Sequence, residues 1–250
     1  MFLALDIGNT LVKAGLHDGA AWVRTARVPT GAAAGEALTR LAEGVDVEAA
    51  GLASVVPHRT AAWAEAVQGA LGVSPRSVDA ARPLPFRLAY ETPETLGADR
   101  LAAAAAAWLR FGLNAGDPPR PVVALDAGTA VTTEVISAEG VYLGGAIAPG
   151  APLLHRALAE QTAQLPAVDW PDILDPIGAS TVSAIRAGLG VLFLDGVRGL
   201  LDRTAGALEA PPFVVATGGW AVWLSEHLDG IDAVEHHLVL EGVRLLTAPG

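Results

Sequence analysis

The sequence has no cysteine, one methionine, two tyrosines and a single lysine in 250 residues. Without cysteine there is no disulfide framework, no thiolate nucleophile and no zinc–thiolate site. The six histidines show no H-E-x-x-H or comparable ligand spacing, and we read them as structural or surface residues. No apolar run reaches the ~18 residues of a membrane span, and Met1 to Asp6 carry neither a basic region nor a small-residue cleavage site. The expectation is no membrane contact and a cytoplasmic location. Positive charge is scarce too. Sixteen basic against 27 acidic residues leave a net charge of −11, which argues against a face that neutralises nucleic-acid phosphates.

Apolar residues are plentiful, 52% of the chain, ample for a sizeable core. Two stretches organise them. Leu3-Ala4-Leu5-Asp6-Ile7-Gly8-Asn9-Thr10 is echoed by Val123-Ala124-Leu125-Asp126-Ala127-Gly128-Thr129-Ala130, an offset of 120 residues from Asp6 to Asp126. In each, a short apolar run meets a turn and then a further strand-like run, Leu11 to Leu16 and Val131 to Ile136. One such turn alone is an ordinary hairpin; two at half-chain spacing point to a duplicated anion site. Glycine lets backbone N–H groups approach an anion, hydroxyl side chains add donors, and a neighbouring carboxylate can hold magnesium through water. The only lysine, Lys13, lies three positions beyond Thr10, where a compact ammonium serves phosphoryl oxygens as a point charge.

Along the rest of the chain, helices are expected over 31–44, 61–71, 101–111, 153–164, 178–203, 220–228 and 240–246, and strands over 49–56, 140–147 and 213–216. This alternation reads as α/β. Gly188 and Gly190 are expected to admit a closely packed neighbour. Gly116-Asp117-Pro118-Pro119-Arg120-Pro121 reads as a linker, dividing the chain into domains 1–116 and 117–250. Asp99 stands at the entrance of an alanine-rich helix, a position that suits capping as well as catalysis. The helix entrance and Arg100 both predict a low pKa for it.

In this order, the motifs resemble those of type III pantothenate kinases, within the superfamily of acetate and sugar kinases, actin and heat-shock chaperones. They are Asp6 to Thr10 with Lys13, Gly97-Ala98-Asp99-Arg100, Asp126 to Ala130, Gly144-Gly145-Ala146-Ile147-Ala148-Pro149-Gly150, Gly178 with Thr181, and Thr217-Gly218-Gly219. The resemblance implies two duplicated ribonuclease H-like (actin-like ATPase) domains with mixed sheets flanked by helices, and ATP-dependent phosphorylation of pantothenate, the first step of coenzyme A synthesis. It implies that Asp6, Ile7, Gly8, Asn9, Thr10, Leu11, Val12, Lys13 and Thr129 contact ATP. Asp6 would stand near Mg2+ through water, and Asp126 would coordinate a monovalent cation, K+ or NH4+. Tyr90, Gly97, Ala98, Asp99, Arg100 and Thr181 would hold pantothenate, with Asp99 taking the hydroxyl proton. A homodimer is implied as well.

The chain departs from the family pattern at Ala179 and Ser180, where Lys-Asn is usual, and at Val131, where threonine is common. Relatives of the same fold include transcriptional accessory factors, but a regulator is expected to lose phosphate-loop or acid–base residues, and this chain keeps them. A kinase with another acceptor is the nearer alternative, since fold does not fix substrate.

Overall fold

The computed structural model describes residues 1–113, 118–171 and 175–249. It parts into two compact units, Met1–Arg110 with His237–Gly250, and Phe111–His236. The divide expected at 116/117, with Gly116 and Asp117 of the linker, lies outside the described residues. The units differ from a simple halving in one respect: the last helix belongs to the first unit.

The first unit opens with β1 (Phe2–Ile7), β2 (Leu11–His17) and β3 (Trp22–Pro29), followed by α1 (Ala34–Leu41), β4 (Ala49–Ser54) and α2 (Pro57–Leu71). Short strands β5 (Arg76–Ser77) and β6 (Arg87–Leu88) lead to a 3-10 turn, Pro93–Thr95, and then α3 (Ala98–Ala107). The sheet order is β3-β2-β1-β4-β5, antiparallel through β3, β2 and β1 and parallel through β1, β4 and β5. Helix α2 starts at Pro57, earlier than expected, because proline's fixed φ suits the first helical turn and its missing N–H costs nothing there. Strand β3 was not foreseen: it is the outer strand, mostly exposed, so its sequence lacks the alternation that marks a half-buried strand.

The second unit repeats the plan. After a π-helical turn at Trp108–Gly112 come β7 (Val122–Ala127), β8 (Ala130–Ile136), β9 (Val141–Gly144), β10 (Ile147–Pro149), α4 (Ala151–Gln161), α5 (Thr181–Gly206), β11 (Phe213–Thr217), α6 (Ala221–His227) and β12 (Ala233–Val234). Its strands run β12-β11-β7-β8-β9, with β10 also on β8; β7, β8 and β9 form an antiparallel meander, while β11 and β12 add in parallel. A meander extended by parallel strands beyond the first strand occurs in both units. This is the duplicated ribonuclease H-like arrangement that the resemblance implied.

Helix α7 (Leu238–Thr247) explains the alanine run. Every residue of α3 from Arg100 to Ala107 is buried, so that helix has no solvent face, and only small side chains let neighbours approach it on all sides. At Gly242 the two helix backbones come so close that a Cβ would overlap the Ala102 carbonyl, and at Gly51 of β4 a Cβ would overlap the Thr247 hydroxyl. Leu238, Val239, Leu240 and Val243 are buried along the same helix, each contributing about 1.5–3 kcal/mol by burial. In α5, by contrast, Gly188 is exposed with nothing within 4 Å of its Cβ direction, which corrects the expectation of a close-packed neighbour there.

The Gly242 contact predicts that Gly242→Ala lowers unfolding stability by about 1–3 kcal/mol through overpacking, more than the gain an alanine brings to an exposed helix. Urea denaturation monitored by circular dichroism measures it.

Candidate active site

Strand β1 delivers Asp6 almost fully buried, and the antiparallel register sets Lys13 of β2 directly opposite. The Lys13 Nζ stands 3.3 Å from Asp6 Oδ2, with the lysine side chain one-quarter exposed. The turn between them closes when the Gly8 N–H donates to the Leu11 carbonyl at 3.1 Å. Thr30, just past β3, pins it from outside: its hydroxyl donates to the Gly8 carbonyl at 2.7 Å, and its N–H to the Thr10 carbonyl at 3.1 Å. The sequence reading missed Thr30 because it missed β3. Asn9, Thr10 and Leu11 are left exposed on the turn, whereas the Ile7 and Val12 side chains are wholly buried in the core. These two can meet a ligand only through backbone.

Helix α3 begins in the same unit with Gly97 as N-cap, so Asp99 lies one residue inside the helix and is not its cap. Its Oδ1 accepts from the Arg100 N–H at 2.8 Å, and a Cβ on residue 97 would sit 2.6 Å from that oxygen. Glycine at 97 therefore leaves room for the carboxylate to fold back over the helix start. The low pKa expected of Asp99 is overturned. Burial pushes it above the ordinary aspartate value, outweighing the opposing pull of the Arg100 N–H, the Arg100 charge and, more weakly, the Lys13 charge. The sequence showed the helix entrance but not how far the carboxylate is removed from water. The Arg100 side chain is itself buried, Tyr90 is partly buried in the loop ahead of the 3-10 turn, and Ala98 is partly exposed. The first unit thus brings Asp6, Lys13 and Asp99 into one electrostatic neighbourhood.

In the second unit the β7–β8 turn closes through a Gly128 N–H to Ala130 carbonyl bond of 2.9 Å. Gly150, the N-cap of α4, donates to the Thr129 carbonyl at 3.1 Å, and any Cβ there would run into the Gly128 and Thr129 carbonyls. The Thr217-Gly218-Gly219 turn presses on the other side. Gly218 has φ +94°, and a Cβ on it would lie 2.5 Å from both Asp126 Oδ1 and the Ala127 carbonyl, so glycine is required twice over. The Trp220 N–H then donates to the Ala127 carbonyl at 3.0 Å. Asp126 and Thr129 remain partly exposed.

Among the described residues, no three His, Cys, Asp or Glu side chains group as a metal site. A cation here would rest on a single carboxylate with carbonyl, phosphate and water oxygens. The Asp126 carboxylate is an oxygen donor, which suits a hard cation such as K+, and Asp6 offers one carboxylate, the usual protein share for Mg2+ on a nucleotide.

Thr181 is the exposed first residue of α5. Ahead of it, Ser180 and Ser183 form a reciprocal cap, the Ser183 N–H donating to Ser180 Oγ at 3.2 Å and the Ser180 N–H to Ser183 Oγ at 2.9 Å. Serine at 180 thus keeps the capping capacity of the asparagine usual in the family. Gly178 lies against that first turn, where a Cβ would overlap the Ala184 N–H.

The sequence model of the family described as type III pantothenate kinase matches residues 2–203. A relative of that description from Anaeromyxobacter sp. (strain K) is 36% identical over 256 residues, covering 98% of both chains. Among solved structures, a conserved putative Baf family transcriptional activator from Campylobacter jejuni superposes with TM-score 0.62 at 19% identity, over 98% of this chain and 96% of that one. A ROK hexokinase from Thermus thermophilus gives TM-score 0.51 at 18% identity, over 98% of each chain. At these identities the two structures speak to the fold alone.

Proposed function

The chain belongs to the type III pantothenate kinase family, which phosphorylates pantothenate with ATP in coenzyme A biosynthesis, and from that premise we propose that Asp99 is its proton acceptor and Lys13 its phosphate-facing charge. The observation that carries this is the placement of the Asp99 carboxylate over the Gly97 helix start, partly withdrawn from water and within the field of Lys13. The pantothenate hydroxyl oxygen attacks the γ-phosphorus, the bond to the β,γ-bridging oxygen breaks, ADP leaves, and the hydroxyl proton passes to Asp99. The transition state is loose, so little basicity is needed until late in the transfer. A carboxylate raised by burial accepts that late proton more readily than a solvated one.

Lys13 pairs with Asp6 and turns its ammonium to phosphoryl oxygens when ATP binds, with the N–H groups of the exposed turn at Asn9 and Thr10 as further donors. Bound Mg2+ would neutralise phosphate charge, near Asp6. Thr129 adds a hydroxyl to the phosphates, and Asp126, with Gly218 clearing space beside it, holds the monovalent cation, K+ or NH4+. Tyr90, Gly97 to Arg100 and Thr181 hold pantothenate.

The protein acts as a homodimer, with α5 as the docking surface. Ala184, Gly188, Leu192 and Gly196 recur along one exposed line of that helix, and Leu192 is 61% exposed.

In a coupled ADP-release assay, Asp99→Asn is expected to lower kcat on the order of 10²–10⁴-fold while ATP affinity by calorimetry and the melting temperature hold. Near-normal turnover rejects the assignment. For the unsubstituted protein, the acid limb of the kcat/KM profile should lie above the ordinary aspartate pKa. Lys13→Ala should raise KM for ATP about tenfold or more and leave KM for pantothenate within about twofold; equal loss in both removes the phosphate role. Leu192→Glu should halve the mass measured by light scattering, whereas an unchanged mass places the interface elsewhere.

A further inference from the structure

The two faces of strand β3 do different things. On one, Ala26 and Val28 pack on the core of the first unit, and the Arg24 guanidinium donates to the Leu41 and Glu43 carbonyls, at 3.1 and 2.6 Å, at the end of α1. Successive side chains of a strand alternate, so Thr25 and Arg27 stand on the other face. Helix α7 covers that face further along: a Cβ on Gly15, the residue paired with Thr25, would lie 3.1 Å from the Leu240 side chain.

On the α7 face the strand register sets three charges in one row. Asp6 of β1 is opposite Lys13 of β2, and Lys13 is opposite Arg27 of β3. The irregularity in the β2–β3 ladder falls at Leu16 and His17, so the Lys13–Arg27 pairing is undisturbed. Neighbouring strands lie about 4.8 Å apart, which puts the arginine one strand beyond the lysine and two beyond the aspartate. Its backbone is anchored to the phosphate turn as well, since three residues on the Thr30 hydroxyl donates to the Gly8 carbonyl at 2.7 Å. Asp6 pairs with Lys13 at 3.3 Å, whereas Arg27 is exposed and enters no ion pair among the described residues. Like charges directly opposite across a ladder cost stability, and one carboxylate cannot neutralise two cations. An anion bound over the row relieves that repulsion.

Asp99 lies toward the opposite end of the row. Gly97, against its carboxylate, has the Val55 side chain 3.5 Å from its Cβ position, just past β4, and β4 flanks β1 on the side away from β2. From Asp99 outward the order is therefore Asp6, Lys13, Arg27. We propose that Arg27 is a further ATP-binding residue, holding the phosphate chain on the ADP side of Lys13, away from the acceptor end at Asp99. This rests on the assignment of Lys13 as the phosphate-facing charge. The guanidinium fork takes two oxygens of the β-phosphate at once, for which it is better matched than an ammonium. ADP keeps that contact after the γ-phosphoryl group has gone to the acceptor, and AMP lacks it.

Calorimetry with ADP and AMP, alongside steady-state kinetics, tests this in Arg27→Gln, Arg27→Lys and Lys13→Ala. Arg27→Gln should weaken ADP binding and raise KM for ATP about tenfold or more, while AMP affinity and melting temperature hold and KM for pantothenate stays within about twofold. Arg27→Lys should recover part of the ADP affinity, because the charge remains and the fork is lost. An arginine that only keeps an outer strand from pairing with another sheet leaves ADP affinity unchanged in Arg27→Gln, and that result overturns the proposal. So does a rise in KM for pantothenate with KM for ATP unmoved, which gives Arg27 to the acceptor's carboxylate instead. Lys13→Ala separates the two assignments. Impaired ATP use there with normal ADP affinity in Arg27→Gln removes Arg27 alone; normal ATP use there with weakened ADP binding in Arg27→Gln removes the Lys13 role and keeps Arg27.

Discussion

The close approach of α3 and α7, with no room for even a methyl group between Gly242 and the Ala102 carbonyl, is the constraint on which the first unit rests. A helix buried on every side cannot be held by one amphipathic stripe. It needs small residues wherever another backbone arrives, and the alanines of α3 supply them. The position of Asp99 follows, because it lies in the first turn of that helix. The reacting carboxylate therefore takes its place from packing, on a scaffold whose interior tolerates little displacement, and not from a flexible loop.

The two aspartate turns show how one strand–turn–strand plan can be set in two ways. At the first, the pin is a side chain: Thr30 reaches back to the Gly8 carbonyl. At the second, the pin is backbone, with Gly150 pressed onto the Gly128 and Thr129 carbonyls and Gly218 onto Ala127. The first turn needs only one threonine and leaves its tip open; the second needs two glycines and is hemmed in on both sides. The first turn pairs its aspartate with a lysine, while the second sets its aspartate against the Gly218 turn.

Much of this was legible in the sequence. The echo of Asp6 at Asp126 revealed the duplication, and Gly97, Gly150 and Gly218 stood out as members of the motifs, although the carboxylate and carbonyls each must clear were not legible there. What escaped had physical reasons. Strand β3 escaped because an outer strand whose covered face is only partly buried imposes little alternation, and Thr30 escaped with it. The environment of Asp99 was misjudged because capping propensity and a neighbouring arginine are local properties, whereas desolvation depends on elements far away in sequence. Helix α7 was read correctly as a helix, but its partner was not. Nothing in Leu238–Thr247 names α3 as the surface it covers, apart from Gly242, whose meaning appears only beside Ala102.

The return of α7 to the first unit has a consequence for how the protein is made. Translation delivers the chain from its N-terminus, and domains tend to fold as they emerge. Here all of Phe111–His236 is synthesised before the segment that covers α3. Until then the alanine face of α3 has no cover from α7, and the second unit has every strand it needs before the first is closed. The earliest-made half of the protein is the last to be finished, so a ribosome stalled short of Leu238 releases a chain whose Asp99 helix has not been seated.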